Sequence, residues 1–401
     1  MRDLVTVVLC LLQLCLAASA EYTLENVEAQ IDSYNLQEQY WSQQQALTLS
    51  ACRFTPASAT DVSLAVLTLR VTSCQFAVKS GGHAAFAGAS NIDAGLTIDL
   101  SGLNGITVSQ DQSQTSIGAE NLWYDVYTHL DPMNITVIGG RVAAIGVGGL
   151  TLGGGMSFFS GRYGWACDNV NSYEVVLADG SIRSVSYDSV YSDLYWALRG
   201  GGNNFGIVTS FDFATYPQGN LLRITNLSGL TVEFNNSNPG GYRQTYWTLT
   251  VGNSADLMAD MVAIFMDEVE PLKDVVGIVP SIIFQPITTD MTTHFSKAGG
   301  NPLGLAGQGP LNLINVDISW SDPADDARVL AAAQNAVSRS AAAAKARGLT
   351  NPYLYQNYAA LQQDVFASYG AANLARLKAI HAKYDPQNVW QTLQPGYFKL
   401  G

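Results

Sequence analysis

The chain has 401 residues, with 20 Lys or Arg against 33 Asp or Glu and a formal net charge of −13. That balance repels a phosphate backbone over most of the surface and argues against nucleic acid as a partner, while the length suits one large domain or two ordinary ones. No uninterrupted apolar stretch reaches the ~20 residues needed to cross a bilayer as a helix, so a membrane protein is not expected.

Residues 4–18 form an apolar run behind Arg2 and end in Ala18, Ser19 and Ala20, the pattern of a cleaved signal peptide over 1–20. A secreted protein is expected, and sequons at Asn134, Asn226 and Asn235 fit that route. Of five cysteines, Cys10 and Cys15 fall in the leader, which leaves Cys52, Cys74 and Cys167. Cys52 and Cys74 bracket a helical stretch at a distance one disulfide could close. Cys167 is then a reactive thiol, a covalent attachment point or a buried inert thiol.

Val62, Ala65, Val66 and Leu69 recur at helical spacing behind a Ser/Thr/Asp cluster, which predicts a helix over 57–70, followed by a strand over 75–79. The glycine-rich stretch 80–90 leads to short strands at 96–100 and 115–118 and to a helix near 121–130. Between 139 and 164 glycines are so dense that backbone must form the working surface. Asp179 and Gly180 lie between apolar runs at 173–178 and 182–185, a hairpin signal, and a second glycine cluster at 200–206 precedes a strand at 207–213. After Pro217 the composition changes, and a second domain is expected over 218–351. Its one clear helix opens at Asp322 and Pro323 and closes at Gly348. Alternating helix, strand and loop predict an α+β fold.

The chain has no G-x-S-x-G elbow, no H-E-x-x-H or C-x-x-C pair, no phosphate loop ending in G-K-[ST] and no G-x-G-x-x-G. No metal site is expected. The two glycine loops, 80–90 and 146–155, both beside expected strands, are suited to binding an anion such as a dinucleotide pyrophosphate. His83 follows Gly81 and Gly82 inside the first loop, so its imidazole would meet the ligand of that loop. His129, His294 and His381 have no such context and read as structural.

Val78-Lys79-Ser80-Gly81-Gly82-His83 resembles the flavin-attachment loop of the berberine bridge enzyme-like oxidoreductases, fungal secondary-metabolite type, in the vanillyl-alcohol oxidase (PCMH-type FAD-binding) superfamily. Ile138-Gly139-Gly140-Arg141 with residues 146–155 resembles the second FAD loop, and GRYGWACDN at 161–169 resembles the segment taken to carry an attachment cysteine, Cys167. Residues 174–180, 194–202 and 205–209 follow in family order, and Tyr355-Gln356-Asn357-Tyr358-Ala359, Tyr384-Asp385-Pro386 and 395–400 resemble the carboxy-terminal signature.

The resemblance implies a two-part FAD-binding domain over 43–217, a substrate domain over 218–351 with an antiparallel sheet flanked by helices, and a segment over 352–401 returning to the FAD domain. It implies FAD held bicovalently by His83 and Cys167, with Ser80, Gly81, Gly82, Ala84, Gly140, Gly146, Gly149, Gly153, Gly154, Gly155, Ile207 and Asn357 around it. Tyr355 and Tyr358 would line the catalytic site, where a phenol acting as base needs a neighbouring positive charge or hydrogen-bond donors. The expected reaction is oxidation of a small alcohol, phenol or amine with oxygen as final acceptor. An oligosaccharide oxidase of the same fold, with Trp247 and Trp320 as sugar platforms, and a flavin- or ligand-binding protein without catalysis stay open. The run after Thr215-Tyr216-Pro217 is shorter than the family pattern, which puts part of the substrate pocket in question.

Overall fold

The computed structural model describes residues 40–218 and 225–401; the expected signal peptide lies outside the described residues. Near the amino-terminal end β1 (Cys52–Phe54), β2 (Phe76–Lys79) and β3 (Leu96–Asp99) form a parallel sheet in the order β1-β3-β2. The crossover from β1 to β2 is α1 (Ala59–Thr72), which buries Val62, Ala65, Val66 and Leu69 as their spacing predicts. Ser58 caps it by accepting from the Asp61 N–H, and Ser73 ends it in a left-handed conformation (φ 54°).

The expected Cys52–Cys74 pairing is not the one formed: Cys74 is in a disulfide, but Cys52 is not its partner. Cys52 pairs across from Leu96 on one side of β3, and Cys74 leads into Phe76, which pairs with Leu96 from the other side. Two strand spacings of about 4.8 Å separate the two backbones, beyond the ~7 Å Cα separation that a disulfide can close.

A second, antiparallel sheet contains β4 (Ile106–Val108), β5 (Gln114–Gly118), β6 (Ile135–Val137), β7 (Val170–Val176), β8 (Ile182–Ser186) and β9 (Ile207–Pro217). Its order is β4-β5-β9-β7-β8, and β6 pairs with the far end of β9. The β7–β8 hairpin turns at Gly180 (φ 79°), where the sequence places it. Together with α1 and α2 (Trp123–Leu130) these two sheets enclose the larger core, in which Trp123, Trp165 and Trp390 are fully buried. α3 (Leu227–Asn236) falls inside the expected 218–351 unit, yet it packs on α2 and places Leu227 in this first core.

The third sheet holds β10 (Arg243–Gly252), β11 (Val279–Ile287), β12 (Leu311–Trp320) and β13 (Thr350–Asn351) in the antiparallel order β11-β12-β10-β13. One face, with Trp247, Leu249, Val251, Ile314, Val316 and Trp320, packs under α4 (Ala255–Val269) and α5 (Asp326–Ala346) to make a second core. Trp247 and Trp320 are thus core residues, which excludes them as sugar platforms. α5 follows a 3₁₀ turn capped by Asp322 and is closed by Gly348 (φ 67°), as the sequence predicts, whereas α4 was not expected. The opposite sheet face, with Gln244, Tyr246, Leu313 and Gln285, is turned toward the first body, where Leu313 joins the first core.

Candidate active site

The loop leaving β2 is tied down on its outer side. Trp41 N–H donates to the Gly82 carbonyl (3.2 Å), the Gln45 amide donates to the Ala84 carbonyl (2.7 Å), and the Ser80 hydroxyl donates to the Ala119 carbonyl (2.7 Å). The N–H groups of Gly81, Gly82, His83 and Ala84 donate to no protein atom among the described residues. A run of free amides around a left-handed residue, here Gly82 (φ 63°), is a backbone form that binds anions. The second glycine loop lies against the first: a Cβ on Gly81 would sit 2.6 Å from Gly146 Cα, so the two backbones meet only because neither residue has a side chain.

Both loops line one largely apolar cavity, which encloses about 1470 Å³ of space free of protein atoms, including the part continuous with solvent. Ser80, Gly81, Gly82, His83, Ala84, Gly146, Gly149, Ile207, Tyr355, Asn357 and Tyr358 all reach it. Cys167, Gly140, Gly153, Gly154 and Gly155 do not. Each of those glycines has a packing reason instead: a Cβ would strike Trp123 at Gly140, the Asn357 amide at Gly153, Trp165 at Gly154 and Ala166 at Gly155.

The expected convergence of His83 and Cys167 does not occur. Cys167 is fully buried in the large core, where its N–H donates to the Gly154 carbonyl and its carbonyl accepts from Arg199. Burial first, and then the neighbouring Asp168 carboxylate, hold its thiol well above the ordinary range, so no thiolate is offered to a ligand. It is the buried inert thiol. His83 faces the cavity, stacked on Trp41 at 4.3 Å between ring centroids, with Nε2 buried and unpartnered. Burial lowers its pKa to about 4, only partly offset by a hydrogen bond to its own backbone, so the imidazole is neutral at neutral pH.

The Tyr355–Tyr358 motif is an extended residue followed by a 3₁₀ turn, Gln356–Tyr358, which brings the two rings together edge to face at 4.8 Å. The Tyr355 hydroxyl accepts from Met156 N–H and from the Asn357 amide (both 3.0 Å). Burial, and then Tyr358, push that phenol well above its usual range. Tyr358 is placed differently: its hydroxyl accepts from the Arg141 guanidinium at 2.9 Å, and its ring meets Tyr246 of β10 edge to face at 5.8 Å. Arg141 also donates to Gln285 of β11. Its loop is anchored by α3, whose Thr231 carbonyl and Asn235 amide oxygen accept from Ala143 and Ala144 N–H.

Arg141, Tyr246 and Gln356, which line the cavity, and Trp41, which stacks on His83, are residues whose place at the site sequence reasoning missed. Arg141 stands in a motif quoted for the family, and the need of a tyrosine base for a nearby cation was a signal that could have found it. Gln356 likewise stands inside the 355–359 motif, whereas Trp41 and Tyr246 carry no local signal.

Gln356 supplies an independent check on a flavin dinucleotide. Its side chain is buried and reaches the cavity, yet neither its amide nitrogen nor its amide oxygen has a partner, and the Gln394 amide oxygen in the same wall is also orphaned. Such amides suit a heteroaromatic ring edge with both donors and acceptors, and the free loop amides suit a pyrophosphate. The residues present fit FAD.

Known proteins agree with this geometry. An FAD binding domain family matches residues 50–186, and a berberine and berberine-like family matches residues 354–395. The FAD-dependent monooxygenase FUP4 of Fusarium proliferatum (strain ET1) is 35% identical over 485 aligned positions, covering 96% of this chain and 94% of that protein. The alignment is longer than the 401-residue chain, so that relative has segments this chain lacks. Among solved structures, 6-hydroxy-D-nicotine oxidase from Arthrobacter nicotinovorans superposes with a TM-score of 0.74 at 18% identity, over 92% of this chain and 96% of that one. Xylooligosaccharide oxidase from Myceliophthora thermophila C1 does so with a TM-score of 0.70 at 20% identity, over 92% and 94%. With the two glycine loops, the His83 loop and the Tyr355–Tyr358 turn around one cavity, these similarities show that the chain belongs to the berberine bridge enzyme-like family of FAD-dependent oxidoreductases.

Proposed function

We propose that this protein oxidises a small organic alcohol, phenol or amine, with FAD tethered through His83 alone and Tyr358 as the base. The observation that carries this reading is the Tyr358 hydroxyl, held by Arg141 at 2.9 Å in the wall of the cavity that the glycine loops line. Bound FAD would supply the hydride acceptor, with oxygen restoring it.

Tyr358 takes the proton of the substrate hydroxyl or amine, and the Arg141 guanidinium stands where the negative charge of the phenolate develops. Tyr355 holds the turn, since both of its hydrogen bonds go to neighbouring protein donors. His83 suits attachment because its ring is neutral, fixed on Trp41 and open to the cavity; the core position of Cys167 leaves one tether in this reading. Secretion belongs to the same proposal, supported by the leader-like residues 1–20 and the exposed sequon residues Asn134 and Asn226.

Two measurements test it. Acid precipitation should leave yellow colour with the wild-type and Cys167→Ala proteins and release it from His83→Ala; colour retained by His83→Ala and lost only when Cys167 is replaced as well would restore the second tether. Anaerobic flavin reduction should slow by about 10²-fold or more in Tyr358→Phe, and an unchanged rate would remove Tyr358 from proton transfer.

A further inference from the structure

The wall of the cavity formed by Tyr246 continues along a sheet face that the catalytic reading leaves unused. On that face Tyr246 of β10 pairs with Asp317 of β12, and Asp317 pairs with Ser281 of β11. Two residues along β12, Asn315 points the same way, and its amide oxygen is buried without a partner. The half-buried Asp317 carboxylate takes no hydrogen bond or ion pair among the described residues. The basic side chains that could neutralise it are engaged elsewhere: Arg243 lies on the helix face with Asp326 and Trp320, and Arg141 is held by Tyr358 and Gln285.

We infer that Asp317, with Asn315 beside it, receives a protonated amine at the end of the substrate remote from the bond being oxidised. The inference rests on the Tyr358 reading for where the reacting end sits. Two acceptors side by side, one of them anionic and neither with a donor, call for a ligand that brings N–H donors and positive charge. A neutral polyol could fill the hydrogen bonds but would leave the carboxylate charge uncompensated. Burial alone raises the Asp317 pKa to about 7, which is the cost that an arriving cation would offset. Tyr358 meets the Tyr246 ring at 5.8 Å, and antiparallel partners such as Tyr246 and Asp317 lie about 5 Å apart, so the ammonium group would stand roughly 10 Å from the Tyr358 hydroxyl.

The test uses the holoprotein and two probes of matched shape, 4-(2-aminoethyl)benzyl alcohol and 4-ethylbenzyl alcohol, titrated against the flavin absorbance spectrum at pH 7.5. Wild type should bind the ammonium probe about tenfold more tightly or better. Asp317→Asn should erase that preference while keeping the affinity for the neutral probe and the photoreduction of the flavin. A wild-type protein that binds neither probe or does not discriminate overturns the inference, as does an Asn variant that still discriminates. Tyr358→Phe separates the two claims: it should keep the charge preference and lose flavin reduction, and retained reduction would sink the base assignment alone.

Discussion

Tyr355 and Tyr358 are three residues apart with the same side chain, and their surroundings divide the work between them. The Tyr355 oxygen collects two N–H donors from the protein, while the Tyr358 oxygen collects a guanidinium. Tyr355→Phe is expected to destabilise the fold by about 1–3 kcal/mol in urea titrations, because Met156 N–H and the Asn357 amide lose a buried acceptor, and to leave the rate of flavin reduction within about threefold. Glu120 provides a pH signature of the fold. Burial first, and then the Asp99 charge, raise its pKa from 4.5 to about 8. The native state keeps this proton after the unfolded chain has lost it, so the contribution to stability is fully present below pH 4.5 and is lost as pH rises toward 8. Glu120→Gln should remove this slope, with little effect near pH 4.5 and a gain of order a few kcal/mol above pH 8, read from urea midpoints at the two ends of the window.

Among elements, the two glycine loops work as a pair. Gly81 and Gly146 touch backbone to backbone, so Gly81→Ala must push the loops apart by the difference between 2.6 Å and an ordinary carbon contact. The expected outcome is a loss of about 1–3 kcal/mol in the melting of the protein and a fall in the ratio of flavin to protein absorbance; full flavin content would show that the loops need not touch. Glycine density marked both loops in the sequence, but it did not separate glycines that face the ligand from those that face Trp123, Trp165 or Asn357. Composition records only a missing side chain. Whether the vacated space belongs to a cofactor or to a neighbouring ring depends on elements distant in the chain. α1 and the β7–β8 hairpin were legible because each has one buried face or a turn that demands glycine. β10 was not, because it is buried on both faces and its residues Arg243–Thr250 show no alternation.

Across the whole molecule the Arg141 guanidinium joins two bodies: Arg141 and Tyr358 come from the first, and its second partner, Gln285, from the third sheet. Gln285→Ala should loosen the guanidinium without touching the flavin loops, so flavin content should hold while the reduction rate falls about tenfold. Equal losses of flavin and rate would mean that the sheet supports the cofactor site instead. The amino-acid sequence alone determined the α+β class, the capped helices, the two glycine loops, the place of His83 in a loop that lines the cavity and the membership of an FAD-dependent family, because these rest on local spacing or on strings of adjacent residues. Tertiary structure decided that Cys167 lies in the core, that the Arg141 guanidinium meets the Tyr358 hydroxyl and that Asp317 pairs across from Tyr246 on one sheet face. Those facts join residues tens to hundreds of positions apart. A cysteine in a short 3₁₀ turn before a strand has the same sequence neighbours whether its sulfur points into a cavity or into a core, and only the packing of the remaining chain chooses between them.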